Sequence, residues 1–238
     1  MIRKNLPFGP LEYQRRLSKT RHAMQAAELD MLFITDPSNM AWLTGYDGWS
    51  FYVHQGVIIP ADSDPVWWGR SQDAKGALRT VWMSDDRIHS YADYFVQSNE
   101  RNPMQDLARW LQEYRAGAKR IGVELDNYYY SAKAHQVLCE NLAKISPSVT
   151  LQDATALVNW QRGIKSNEEI TFMRKAARIS EKIIDGLFAR VEPGIAKNDI
   201  VAEVYGDALR GFENIWGDYP AIVPLLQSGS NAAAPHLT

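Results

Sequence analysis

Residues 11–29 carry Tyr13, Leu17, Met24 and Ala27 at helical spacing, with Arg15, Arg16, Lys19 and Arg21 on the other side, and run directly into Met31-Leu32-Phe33-Ile34-Thr35. An amphipathic helix feeding a short apolar run of β-branched and aromatic residues reads as helix then buried strand. Asp36-Pro37-Ser38-Asn39 then starts a short helical segment over residues 40–43, which Gly45 ends. This helix–strand–helix rhythm predicts an α/β domain with a mixed sheet.

The same alternation continues. Residues 51–59 and 66–68 read as strands joined by the turn Pro60-Ala61-Asp62-Ser63-Asp64-Pro65, a hairpin-like connection. Helices are expected over residues 71–81, 102–114, 131–142 and 154–162, with strands over 88–91, 120–123 and 149–151. The Trp67-Trp68 pair is expected to pack on both faces of its strand. Near residue 162 the pattern changes. Ser166-Asn167-Glu168-Glu169 is a capping box opening a long helix to Val191, stopped by Pro193-Gly194. A second helix over 197–211 and a strand over 219–227 follow. Two amphipathic helices and one strand cannot bury their apolar faces on each other. An apolar stripe through Ile170, Met173, Ile179, Ile183 and Leu187 is therefore expected to favour association.

Charge narrows the partner. Lys and Arg total 26 against 28 Asp and Glu, a formal net charge of -2, so no basic face is implied for nucleic acid or anionic lipid. A small neutral or zwitterionic ligand fits better. The N-terminus shows no signal-peptide pattern and no apolar run reaches the ~18 residues of a membrane span. The single Cys139 offers no disulfide framework and reads as a buried apolar thiol, so a reducing, cytoplasmic location is the expectation. Eight Trp in an 11% aromatic composition, concentrated between Trp42 and Trp82, call for an explanation beyond an ordinary core.

Three separated motifs carry a family resemblance. Arg162-Gly163-Ile164-Lys165-Ser166-Asn167-Glu168-Glu169-Ile170, followed by Met173-Arg174-Lys175-Ala176-Ala177, is similar to the opening of the catalytic domain of creatinase, prolidase and aminopeptidase P. Ser228-Gly229-Ser230-Asn231 with Pro235-His236 resembles the strand-loop that delivers the active-site histidine of these "pita-bread" hydrolases. Asp36-Pro37-Ser38-Asn39-Met40-Ala41-Trp42-Leu43-Thr44-Gly45-Tyr46 is similar to the N-terminal-domain signature. Within the family, residues 39–55 and Glu124-Leu125-Asp126-Asn127-Tyr128-Tyr129-Tyr130 resemble the branch that hydrolyses ectoine, a cyclic amidine bearing a carboxylate.

The resemblance implies a mixed-sheet N-terminal domain over residues 1–161, followed over 162–238 by the beginning of an α+β pita-bread catalytic domain. It implies a homodimer, because the family's N-terminal domain reaches over its partner's active site. Relatives continue past the position of Thr238 with the residues that hold two metal ions in the peptidases. Metal use is therefore left undecided, the creatinase-like branch working without metal, and no metal ligand is assigned.

By the same resemblance His236 is the proton-relay residue, a role that suits an imidazole, whose ordinary pKa is about 6.5. Trp49, Phe51 and Tyr52 are expected to face the substrate's amidinium, and Ser228 and Asn231 to approach a small polar ligand beside Gly229. Creatinase places an Arg two residues after its substrate-contacting Phe. Here that position is Val53, which disfavours creatine and leaves the carboxylate holder open, with His54 a candidate. Two other readings stay open: a metal-dependent Xaa-Pro peptidase, and a noncatalytic binding or dimerisation module.

Overall fold

The structure, a computed structural model, describes residues 6–114 and 117–237. The chain divides into two compact units, Met1–Ile164 and Lys165–Thr238.

In chain order the first unit comprises α1 (Pro10–Ala26), β1 (Met31–Ile34), α2 (Pro37–Thr44), β2 (Gly56–Pro60), β3 (Val66–Arg70), α3 (Ser71–Thr80), β4 (Ile88–Tyr91), α4 (Pro103–Tyr114), β5 (Arg120–Val123), α5 (Ala132–Ile145), β6 (Thr150–Asp153) and α6 (Leu157–Gly163). The strands form one six-stranded sheet in the order β4-β3-β2-β1-β5-β6. β1 and β2, and β2 and β3, pair antiparallel, whereas β3–β4, β1–β5 and β5–β6 are parallel, so the sheet is mixed.

The sheet is covered on both faces, which explains why its central strands are apolar at every position. Leu32, Ile34, Val57, Ile59 and Trp67 point into a core shared with Leu17 and Met24 of α1, Leu43 of α2, Ala77 of α3 and Val158 of α6. The alternate residues Met31, Phe33, Ile58, Trp68 and Ile121 enter a second core with Leu107 and Leu111 of α4 and Val137 and Leu138 of α5. Trp67 and Trp68, both fully buried, thus fill opposite cores from adjacent positions, as the two-residue period of a strand requires.

Three local expectations are corrected. Residues 51–55 are loop, and β2 starts only at Gly56, where Phe33 and the Ile34 carbonyl lie so close that a Cβ would meet them at 2.3 and 2.6 Å. Arg16 is buried rather than solvated: its Nε donates to Glu12 Oε1 at 2.8 Å, Nη1 donates to the Trp42 carbonyl at 2.8 Å, and its guanidinium lies 3.9 Å from the Phe8 ring centroid. Paired and hydrogen-bonded, the charge can leave water. Cys139 is half-buried rather than enclosed, its Sγ 3.4 Å from His135 Nε2.

Asp30 ties the β1 entry to β5. Its Oδ2 accepts the backbone N–H groups of Arg120 at 2.8 Å and Lys119 at 2.9 Å, which hold the carboxyl below its usual range. A folded-state pKa below the unfolded one gives stability that is present above the unfolded pKa and is lost as pH falls through the folded pKa. Asp30→Asn should therefore lower the urea midpoint near neutrality and flatten its fall below pH ~4. An acid limb identical to wild type would remove Asp30 from that dependence.

The second unit holds α7 (Asn167–Arg190) and α8 (Lys197–Arg210). The capping box is formed: Ser166 Oγ accepts Glu169 N at 3.2 Å and Glu169 Oε2 accepts Ser166 N at 2.6 Å. The helices are joined by Arg190 Nη1 to Asp207 Oδ2 at 2.9 Å and by Lys182 Nζ donating to the Gly211 carbonyl at 3.3 Å. Among the described residues of this unit no strand forms, so the expected strand over 219–227 is absent. A strand needs a neighbour for its backbone groups, and none is present. Ile222 and Val223 accordingly stand exposed. Of the expected apolar stripe, Met173 is exposed while Ile170, Ile179, Ile183 and Leu187 are half-buried; Phe172, Ile184 and Phe188 are exposed beside them.

Candidate functional site

The loop between α2 and β2 is held at its base and open at its tip. Asp36 caps α2, accepting Asn39 N at 2.9 Å, and Gly45 ends it in the left-handed region at φ 81°. A Cβ at Gly45 would also meet the Thr80 carbonyl at 2.8 Å. Trp82 accounts for two of the carbonyls that the helix leaves open, its N–H donating to Thr44 O and its indole Nε1 to Leu43 O, both at 2.9 Å. Beyond the cap, the Tyr46 hydroxyl donates to Gln55 Oε1 at 2.8 Å and its ring packs on Trp67, centroids 5.3 Å apart. Tyr46 and Gln55 therefore close the loop from its two ends. Gly48 lies across the Tyr46 ring, where any Cβ would collide at 2.1 Å.

With its base closed, the loop presents Trp49, Phe51 and Tyr52 outward, 66%, 41% and 65% exposed. Their rings meet edge to face, Trp49–Phe51 at 5.1 Å, Trp49–Tyr52 at 6.1 Å and Phe51–Tyr52 at 6.2 Å. The structure thus brings together all three aromatic residues expected at the substrate. It adds Tyr129, whose ring lies 6.0 Å from Phe51, a partner 78 positions distant that no local pattern marks. Electron-rich ring faces in an exposed cluster suit a delocalised cation. Asp47 is exposed at the edge of this loop.

A buried polar network fixes the segment bearing Tyr129 to the start of α2. Glu124 Oε2 accepts Thr35 N at 2.7 Å, Asp36 N at 2.8 Å and Asn127 Nδ2 at 3.1 Å, and Oε1 accepts Asn39 Nδ2 at 2.6 Å. Arg162 Nη1 donates to Asn39 Oδ1 at 2.7 Å, extending the network to the end of α6. Burial pushes the Glu124 carboxyl up, and the Asp36, Thr35 and Asn39 donors pull it back. Glu124 and Asn39 lie in two separate sequence motifs, and their meeting across 85 positions ties those motifs together.

His54 is half-buried, its carbonyl accepting the Tyr91 hydroxyl at 2.6 Å, and burial pushes its imidazole pKa down. A neutral ring is a weak partner for a carboxylate, which counts against His54 as sole holder.

Ser228, Asn231 and His236 belong to the second unit. Gly229–Ala233 is a short 3-10 turn rather than a loop leaving a strand, and all three side chains are exposed. The Asn231 carbonyl accepts Ala234 N at 2.9 Å, so the turn is closed by backbone bonds and Asn231's amide is left facing outward. Among the described residues no three His, Cys, Asp or Glu side chains converge to hold a metal ion.

Comparison with known proteins places this architecture. The Creatinase/Prolidase N-terminal domain profile matches residues 16–164, and that of Metallopeptidase family M24 matches residues 171–238. The chain is 48% identical to the ectoine hydrolase of Halomonas elongata across 100% of its own length and 60% of that protein's. It is 39% identical to an uncharacterized hydrolase/peptidase of Sinorhizobium fredii, covering 97% of this chain and 58% of the relative. The chain therefore spans less than two thirds of the length of these curated relatives. Among solved structures, a Xaa-Pro dipeptidase from Bacillus anthracis shares the fold at a TM-score of 0.64 and 16% identity, over 82% of this chain and 48% of that one. A prolidase from Pyrococcus horikoshii does so at 0.60 and 16%, over 81% and 48%. Identities this low speak to fold alone. With its N-terminal domain matched almost throughout and the M24 match following directly, the chain belongs to the creatinase/prolidase family.

Proposed function

We propose that the protein hydrolyses the cyclic amidine ectoine, opening its ring to an N-acetylated diaminobutyrate. The observation that carries this reading is the 48% identity to an ectoine hydrolase along the whole of this chain. In the proposed reaction, water adds to the amidinium carbon, a C–N bond of the ring breaks, and the leaving nitrogen takes a proton as the acetamide carbonyl forms. His236 relays that proton, taking it from water and returning it to the amine, while Ser228 and Asn231 supply hydrogen-bonding side chains near it in sequence.

The exposed rings of Trp49, Phe51, Tyr52 and Tyr129 are suited to the amidinium by cation–π attraction. An exposed aromatic cluster of this kind also fits a subunit contact, which supports a homodimer in which this loop serves the partner's pocket. One free cysteine fits a reducing, cytoplasmic setting.

Residues 1–238 alone should turn over little or no ectoine, because a proton relay without preorganised surrounding dipoles lacks the largest contribution to such rates. The test follows the acetyl resonance by proton NMR in this chain and in a protein extended to the full length of its relatives. Ring opening by the extended protein and none by this chain is expected; equal turnover by both would overturn this division of labour. A metal-dependent Xaa-Pro peptidase is the second reading, favoured by the M24 match over residues 171–238. It requires alanyl-proline to be cleaved and ectoine to be left intact.

A further inference from the structure

A second feature adjoins the aromatic loop: a cavity of about 240 Å³ whose walls include Tyr52, His54, Tyr91, Gln97, Arg101 and Asn102. Tyr52 belongs to both, so the cavity and the ring cluster are continuous. The lining holds one permanently cationic side chain, Arg101, and no Asp or Glu. Glu100 precedes Arg101 in the chain and is not part of the wall. Among the described residues no carboxylate pairs with Arg101; its guanidinium carbon instead lies 5.2 Å from the Tyr94 ring centroid. His54, its pKa pushed down by burial, adds a neutral ring able to donate one N–H without a second charge.

The wall is held in place independently of any ligand. Ser98 Oγ accepts the backbone N–H groups of Glu100 at 3.2 Å and Arg101 at 3.1 Å, and the Tyr91 hydroxyl pins His54 by its carbonyl. Gln97 adopts φ 51°, in the left-handed region that L residues seldom enter. The cavity also meets the start of α4 at Asn102 and Pro103, where helix geometry adds positive partial charge. Every fixed charge on this wall has the same sign. An anion is the ligand such a wall selects, and a planar carboxylate matches the guanidinium fork.

We propose that this cavity is a carboxylate-binding subsite, in which Arg101 pairs with the carboxylate of a small zwitterion whose cationic end lies on the Trp49–Phe51–Tyr52 rings. It supplies the carboxylate holder that Val53 cannot provide and that His54 only assists. The identity of the zwitterion as ectoine rests on the function proposed above; the subsite itself does not.

The test titrates residues 1–238, as wild type, Arg101→Gln and Arg101→Lys, with ectoine, alanyl-proline and acetate, reading the Arg101 side-chain Nε–H signal and Trp fluorescence. Ectoine should move the Arg101 signal, and Arg101→Gln should weaken binding about ten- to a hundredfold, with Arg101→Lys between because it keeps the charge and loses the fork. Acetate alone should bind more weakly than ectoine, since it lacks the end that the rings hold. Unchanged urea midpoints in the variants confirm that the fold is intact. Ectoine affinity equal within about twofold in wild type and Arg101→Gln, or no carboxylate moving Arg101 at all, overturns the subsite. Alanyl-proline binding through Arg101 with ectoine ignored leaves the subsite standing and removes ectoine as its ligand.

Discussion

Replacing His236 by Ala in an extended, active form of the protein should lower kcat for ectoine by about 10²- to 10⁴-fold, the range attributed to a positioned proton relay. KM should move far less, because the side chain is assigned to proton transfer and the binding contacts are assigned to the aromatic loop and Arg101. The urea midpoint of the variant, measured beside kcat, separates a loss of chemistry from a loss of fold. Single-turnover kinetics separate the two constants. Near wild-type kcat in His236→Ala would take this residue out of the mechanism, whatever became of KM.

The second large effect concerns stability. Glu124→Ala should cost about 3–5 kcal/mol, measured as a shift in urea unfolding followed by tryptophan fluorescence, since Trp67 and Trp68 report on the sheet that this network anchors. The substitution strips the acceptor from Thr35 N, Asp36 N and the Asn39 amide at one stroke, all within 2.6–2.8 Å of the carboxylate. Buried donors without acceptors cost about 1–3 kcal/mol each. Glu124→Gln preserves volume and one acceptor oxygen but turns an N–H₂ toward other donors, so it should fall between. A loss under about 1 kcal/mol for Glu124→Ala would mean that water replaces the carboxylate, and that the network does not hold the Tyr129 segment.

These residues also show where sequence pattern carries information and where it does not. Trp67 and Trp68 could be placed on opposite faces because a strand's period of two is a local property, and Ser166 and Glu169 could be paired because a capping box closes within one helical turn. Arg16 looked like a surface residue because its charge said so; its burial depends on Glu12 one turn away and on the Trp42 carbonyl 26 positions on. Residues 51–55 carry the aromatic content of a strand, yet the rings face outward in a loop, because their role is set by Tyr46 and Gln55 closing the base. The missing strand over 219–227 is a different case. Its apolar sequence is that of a strand, but backbone pairing needs a second strand that these residues do not supply.

At the candidate site, motif resemblance pointed to Trp49, Phe51, Tyr52, Ser228, Asn231 and His236, all of which are exposed in the structure. It included Tyr129 within residues 124–130 without giving it a place at the substrate, and it did not include Arg101. The first joins the cluster by a contact across 78 positions and the second by lining a cavity with Tyr52. Neither contact leaves a periodicity or a spacing to read. Arg101 in particular follows Glu100 in a polar stretch that looks like an ordinary solvated loop until the cavity's acid-free wall is seen.

The proposed reaction turns on water attacking an amidine carbon, and one measurement addresses that step: mass spectrometry of the products formed by the extended protein from ectoine in heavy-oxygen water, with alanyl-proline offered in the same mixture. Consumption of ectoine with one heavy oxygen in the acetyl carbonyl of N-acetyl-diaminobutyrate, and intact dipeptide, is the result expected. Ectoine recovered unlabelled while heavy oxygen enters the carboxylate of released alanine would contradict the account and assign the protein to the peptidase chemistry of its M24 relatives.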